Sequence, residues 1–266
     1  MIRRDIVDTA GRPAWALISQ VEHARIAGEM AAAWSGTVAA LPEAREEFLA
    51  AVYHHDDGWL PWELRPTVVD GRPREFLEMP IDEALAIWRR SIAVALNYGV
   101  SSAYAVSGHF AALCRRAHDE KPHDDSWRHL AEEFLDEQTQ LQAEWRAQVA
   151  ERSESPTAAQ SQLDRGVHGL QFFDLLSLWL SCARRNDADE ITVADFCTLR
   201  ATPRRSEGDA AEILVEPWPF DEATLELSLP VKAVPRADYA TDDALAQALQ
   251  SPAVAPTTLR FRLVSF

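Results

Sequence analysis

The chain reads as a mainly α-helical protein carrying a small antiparallel β-sheet built from its N- and C-terminal segments. Three observations predict this. Apolar residues recur at helical spacing from Val21 onward, the stretch Gly169 to Leu180 is apolar on nearly every side as a central bundle helix must be, and β-favouring runs separated by prolines sit at the two ends. The expected organisation is a single domain over residues 1–266, with a β-hairpin at 1–20, a helical core at 21–186 and a β-containing extension at 187–266 packed on that core.

Each element has its own signal. Ile2 to Val7 and Ala14 to Ser19 are short β-favouring runs joined by a turn containing Gly11 and Pro13, which predicts a hairpin. From Val21 the apolar positions His23, Ile26, Met30 and Trp34 define a first helix that stops near Gly36. Pro42, Glu43, Glu46 and Glu47 start a second, where carboxylates meet the positive end of the helix dipole, and it runs into His54-His55-Asp56-Asp57-Gly58-Trp59. Leu60 to Met79, rich in proline, is expected to be an irregular loop passing near that cluster.

Pro80 to Gly99 and Ser102 to Ala117 are further helices, the latter placing Ala105, His109, Ala112 and Leu113 on one face. Asp125 to Ala150 is a long, charged, partly exposed helix, and Glu151 to Gln162 reads as a connector before the central helix. At the C-terminal end, Ala210 to Val215, Thr224 to Leu229 and Thr258 to Val264 are strand candidates, with a short helix at Asp242 to Gln250.

A formal net charge of -16 and a pI near 4.9 repel nucleic-acid backbones and anionic membrane surfaces, so neither is an expected partner. Neither a secretory leader nor a spanning segment is evident, and a cytoplasmic location is expected. Cys114, Cys182 and Cys197 have no CxxC spacing, which argues for buried free thiols rather than a disulfide framework or a thiolate zinc site.

Ionisable side chains on the buried faces of separate helices are the chemical signal. His23, the pair His55-Asp56, His109 and Asp174 all meet this description, and a buried unpaired carboxylate costs several kcal/mol. A shared divalent cation, one or two ions of iron, manganese or zinc, satisfies them together. Taken singly, His23 is an ordinary core histidine, His55-Asp56 a helix end, Asp174 a partner for Ser177 or Gln171, and His109 a neighbour of a close-packed Gly108. His54 and Asp57 belong to the surroundings of the site, His168 could approach it from the start of its helix, and His118, His123 and His129 lie in a charged stretch expected to be exposed. Trp59, Trp62, Glu63 and Glu78 flank the cluster or its loop and could line a pocket.

The order His, then His-Asp, then a distant Asp on helices resembles the HD-domain superfamily of metal-dependent phosphohydrolases. The resemblance implies an HD-domain-like helical bundle with His23, His55, Asp56 and Asp174 as metal ligands, and His109 as the extra histidine of two-metal members. Where many members have a lysine, this chain has Trp59, and Arg65, Arg72, Arg74, Arg89 or Arg90 would have to supply positive charge to a phosphate. The whole chain also resembles an uncharacterised bacterial family, the domain of unknown function 3891. That resemblance is carried by Leu17-Ile18-Ser19-Gln20 leading to His23-Ala24-Arg25, by His55-Asp56-Asp57-Gly58-Trp59, by Phe76-Leu77-Glu78-Met79-Pro80 and by Pro217-Trp218-Pro219-Phe220.

The function expected is metal-dependent hydrolysis of a small-molecule phosphoester by metal-activated water, with Asp57 or Glu63 as the catalytic group that takes the proton. Two alternatives stand beside it, a di-iron oxygenase on the same scaffold and a non-catalytic metal- or ligand-binding protein. Substrate, metal identity and oligomeric state are not encoded in any motif of the chain.

Overall fold

The computed structural model describes residues 1–8, 10–120, 125–182, 188–204, 210–251 and 256–265. Strands β1 (Ile2–Val7) and β2 (Pro13–Ile18) form the expected antiparallel hairpin, in register from Ile2 opposite Ile18 to Val7 opposite Pro13. Helix α1 (Gln20–Ala32) follows at once, because the Ser19 side chain accepts a hydrogen bond from the Val21 amide and supplies one of the partners a helix start lacks. Helix α2 (Arg45–His54) leads through His55 and Asp56 into a 3-10 turn, Asp57–Trp59, and the single turn α3 (Leu60–Glu63).

Residues 60–79 are more ordered than an irregular loop. They hold α3, the two-residue strands β3 (Val68–Val69) and β4 (Arg72–Pro73), and a 3-10 turn at Phe76–Glu78. The helices α4 (Ile81–Leu96), α5 (Val100–Glu120), α6 (Asp125–Glu151) and α7 (Pro156–Ser181) come next. The connector expected at 151–162 shrinks to a few residues. Ser155 caps α7 by accepting from the Ala158 amide and Pro156 occupies the first turn, so Ser-Pro here starts a helix.

The expected small antiparallel sheet on a mainly α bundle is overturned. After α7 come β5 (Asp189–Val193), β6 (Cys197–Arg204), β7 (Ala210–Glu216), β8 (Thr224–Pro235), helix α8 (Asp242–Gln250) and β9 (Pro256–Val264). Seven strands join one mixed sheet in the order β1-β2-β8-β9-β7-β6-β5, antiparallel throughout except for the parallel pair β7 and β9. The sheet is thus a full layer against the helices. Strands β5 and β6 escaped notice because charged and threonine residues alternate with the inward Ile191, Cys197, Leu199 and Ala201, and Pro203 breaks the run. The proposed boundary at residues 186 and 187 falls within residues 183–187, outside those described.

The two-residue period of a strand explains how the sheet joins two cores. Along β2, Ala16 and Ile18 pack with α1, α7 and the inner face of β8 and β9, while Trp15 and Leu17 pack on the other side with Val234, Tyr239 and Leu245 of the segment around α8. With both faces covered, β2 reads as a continuous apolar run. Among the described residues no helix is long and apolar enough to cross a membrane.

Gly58 is fixed by the approach of α4. A Cβ there would lie 2.3 Å from the Ile87 carbonyl oxygen and 2.6 Å from the Ser91 amide nitrogen, both main-chain atoms with little freedom to move. Gly166 in α7 differs, since its added Cβ would meet the Ala105 Cβ at 3.7 Å, an ordinary contact. Gly58→Ala is therefore expected to cost about 1–3 kcal/mol through overpacking, and Gly166→Ala to gain up to about 1 kcal/mol through helix propensity. Urea unfolding of both variants checks the pair, and a neutral Gly58→Ala contradicts the packing described.

Candidate metal centre

Four helices deliver the cluster, and each side chain is placed by local chemistry. His55 sits at the C-terminal end of α2, where carbonyls lack helical partners, and its Nδ1 lies 2.9 Å from the Val52 oxygen. A carbonyl can only accept, so Nδ1 carries the proton and Nε2 points onward. Asp56 follows in a non-helical conformation, φ -106° and ψ 11°, that turns its carboxylate back toward the same imidazole. His23 comes from the second turn of α1, Asp174 and Ser177 from adjacent turns of α7, and His109 from α5, where the neighbouring Gly108 leaves no room for a Cβ beside Val167.

These groups converge on the Asp174 carboxylate. His23 Nε2 is 2.8 Å from Asp174 Oδ1, and His55 Nε2 is 3.4 Å from that same oxygen and 3.4 Å from Asp56 Oδ2. His109 Nε2 stands 4.0 Å from Asp174 Oδ2. Ligand atoms of His23, His55 and Asp174 all lie within 4.8 Å of one another, close enough to share one ion. Among the described residues, buried His55 Nε2 has no hydrogen-bond partner, and neither has His109 Nδ1. An orphaned imidazole nitrogen between two carboxylates is what a site for a cation presents, and the nitrogen and oxygen donors suit zinc, iron or manganese.

Electrostatics point the same way. Burial opposes charge on His55, but the adjacent Asp56 and the nearby Asp174 outweigh it and push the imidazole up to about 9. Burial likewise opposes ionisation of Asp174, yet the hydrogen bond from His23 and the close approach of His55 hold it well below the ordinary carboxylate range. Asp56 is raised, chiefly by burial, with His55 and His23 pulling the other way and Asp174 and Glu63 adding to the rise. His109 is lowered by burial to about 4 and stands as a neutral imidazole at pH 7, the form that ligates metals. The cluster thus needs one positive charge at its centre, which a proton on His55 supplies when no ion does. Access runs past Asp174, whose side chain is 18% exposed while those of His23 and His55 are at 2% and 1%.

Other candidates lie elsewhere or are engaged. Asp57 accepts from His54 Nδ1 at 2.9 Å, and the His54 ring stacks on Tyr98 with centroids 4.5 Å apart. Glu63 accepts from the Ser19 hydroxyl and, at 2.6 Å, from the Gln20 amide, clasping α3 to the start of α1. His168 lines a polar surface groove with Thr157, Asp164 and Asp195, while His129 pairs with Glu133 and His118 stacks on Trp127. His123 lies outside the described residues. Buried Trp59 meets the Trp62 ring edge-on, a packing contact. Glu78 binds Arg3 and Arg72, Arg74 pairs with Glu83 and Arg89 with Glu137, whereas Arg90 Nε donates to the Gly58 carbonyl at 3.2 Å. Ser177, weighed from sequence only as a partner for Asp174, also touches His23. A serine three residues after the aspartate, one turn on along the same helix, was the signal available for it.

A mixed-sheet α/β protein with a buried His/Asp cluster able to hold a metal ion is the class that fold and site define. The chain belongs to the family described as protein of unknown function (DUF3891), whose model matches residues 3–236 and so includes every cluster residue. No curated protein and no solved structure matches the chain.

The raised His55 has two measurable consequences. Its folded value of about 9 lies above that of a free imidazole, so in metal-free protein the stabilisation is fully present below about 6.5 and is lost as pH rises through the folded value. Metal-free protein is expected to lose stability between pH 7 and 9.5 for this reason. Ion and proton compete for the same nitrogen, so zinc uptake near pH 7.5 should release about one proton per ion. Titration in weak buffer with a pH indicator checks this, and uptake without proton release contradicts it.

Proposed function

We propose that this protein is a metal-dependent hydrolase acting on small-molecule phosphoesters. One observation carries the reading: His55 Nε2 is buried without a hydrogen-bond partner and faces two carboxylates, beside a third donor, His23. His23, His55 and Asp174 would hold the ion and Asp56 would supply a further oxygen. The order of a histidine, a His-Asp pair and a distant aspartate on separate helices is similar to that of the HD-domain phosphohydrolases, which supports the choice of chemistry. A dication at such a position lowers the pKa of a water toward neutrality and polarises a phosphoryl oxygen.

The chain's own residues have separable tasks in this reading. Asp174, as the partly exposed member, meets the substrate side, and neutral His109 offers a hydrogen bond or a further ligand there. Glu63 and Asp57, held by Ser19, Gln20 and His54, position the ends of α1 and α2 rather than move a proton. Arg90, whose Nε donates to the Gly58 carbonyl, would supply positive charge in place of the lysine found at the position of Trp59 in many HD proteins. A second reading, a di-iron oxygenase, is favoured by His109 standing 4.0 Å from the other Asp174 oxygen, where a second ion would bind.

Metal analysis of protein purified without chelator, a phosphoester panel and an oxygen-consumption assay test the proposal together. The expected result is near-stoichiometric divalent metal and phosphate release, with both abolished in His55→Ala and Asp174→Ala. Iron with oxygen consumption selects the second reading. Metal content that His55→Ala leaves unchanged removes both.

A further inference from the structure

We infer that Ser177 is a positioning residue that holds the His23 ring at Nδ1 and so presents Nε2 to an ion. Ser177 lies on α7 one turn beyond Asp174 and its residue is fully buried. Its Oγ is 3.0 Å from the Asp174 main-chain oxygen, 2.9 Å from His23 Nδ1 and 3.4 Å from His23 Nε2. A hydroxyl has one proton and a carbonyl oxygen has none to give. Without an ion, His23 Nε2 donates to the ionised Asp174 Oδ1 at 2.8 Å, and the hydroxyl can donate to Nδ1. An ion on Nε2 leaves the ring hydrogen on Nδ1, where the hydroxyl accepts it while donating to the Asp174 carbonyl.

His55 is arranged in the same way, with its Nδ1 proton directed to the Val52 carbonyl and Nε2 turned inward. Two imidazoles from different helices therefore have their outer nitrogens held by hydrogen-bond partners and their inner nitrogens aimed at one carboxylate oxygen. Groups that hold the far nitrogen of a metal-binding imidazole typically change metal affinity about 10–100-fold when removed. The alternative is a serine that only bonds back to its own helix, a common habit of buried helical hydroxyls. That alternative gives metal binding no dependence on Ser177.

The inference rests on the metal-site reading, and two measurements keep their failures apart. Zinc affinity by calorimetry on wild type, Ser177→Ala, Ser177→Thr and His55→Ala is expected to fall at least tenfold in Ser177→Ala, to return in Ser177→Thr and to vanish in His55→Ala. Equal affinity in wild type and Ser177→Ala overturns the role of Ser177 while leaving the metal site standing. Absence of zinc binding in wild type overturns the metal reading instead. Nitrogen NMR of the His23 ring in zinc-loaded wild type shows which nitrogen meets the ion without any variant. A protonated Nδ1 with Nε2 bound supports the inference, and a ring bound through Nδ1 overturns it.

Discussion

A carboxylate buried among three imidazoles is the constraint on which the helical half of this molecule depends. Asp174 is held ionised inside the protein by a hydrogen bond from His23, by the approach of His55 Nε2 to 3.4 Å and by His109 facing its second oxygen. Each partner comes from a different helix, so neutralising one charge fixes the mutual positions of α1, α2, α5 and α7. Apolar packing alone would tolerate small slides between such helices, whereas a hydrogen bond of 2.8 Å does not.

The sheet and the turn after Asp56 hold that arrangement in place. α1 enters directly from β2 through the Ser19 cap, and Glu63 clasps the same point, so His23 has a short, anchored connection to a strand buried on both faces. On the other side, Gly58 lets α4 approach until the Ser91 hydroxyl accepts from the Gly58 amide at 3.1 Å and Arg90 binds its carbonyl. The His-His-Asp-Asp-Gly-Trp run is thereby divided by task. His55 and Asp56 face inward, His54 and Asp57 pair with each other, Gly58 admits a neighbouring helix, and Trp59 packs.

Most helices were legible because their apolar faces repeat with the helical period, and so was the cluster, since an ionisable side chain on a buried face stands out against that period. The sheet was underestimated for a related reason. Strands that alternate buried Leu199 and Ala201 with exposed Arg200 and Thr198 carry half the apolar signal of a helix, and β-pairing is non-local, so nothing near residue 199 announces β7 or β9. Ser155-Pro156 shows a different failure, in which one dipeptide signals both a loop and a helix start, and only the amide it caps distinguishes them. Ser177 was invisible as a neighbour of His23 because that contact joins residues 154 positions apart.

Energetics separate the task of this cluster from that of the apolar core. A seven-stranded sheet packed on helices already has an extensive apolar core, with Trp34, Phe172, Phe173 and Phe220 meeting ring to ring beside the sheet. Replacing buried ionic groups with well-packed apolar ones is often neutral or stabilising by about 1–4 kcal/mol. Five ionisable side chains gathered at one point, two imidazole nitrogens left without a hydrogen-bond partner among the described residues, and a single partly exposed member opening toward solvent are therefore poorly explained as stabilisation. They suit a binding site that could hold a cation.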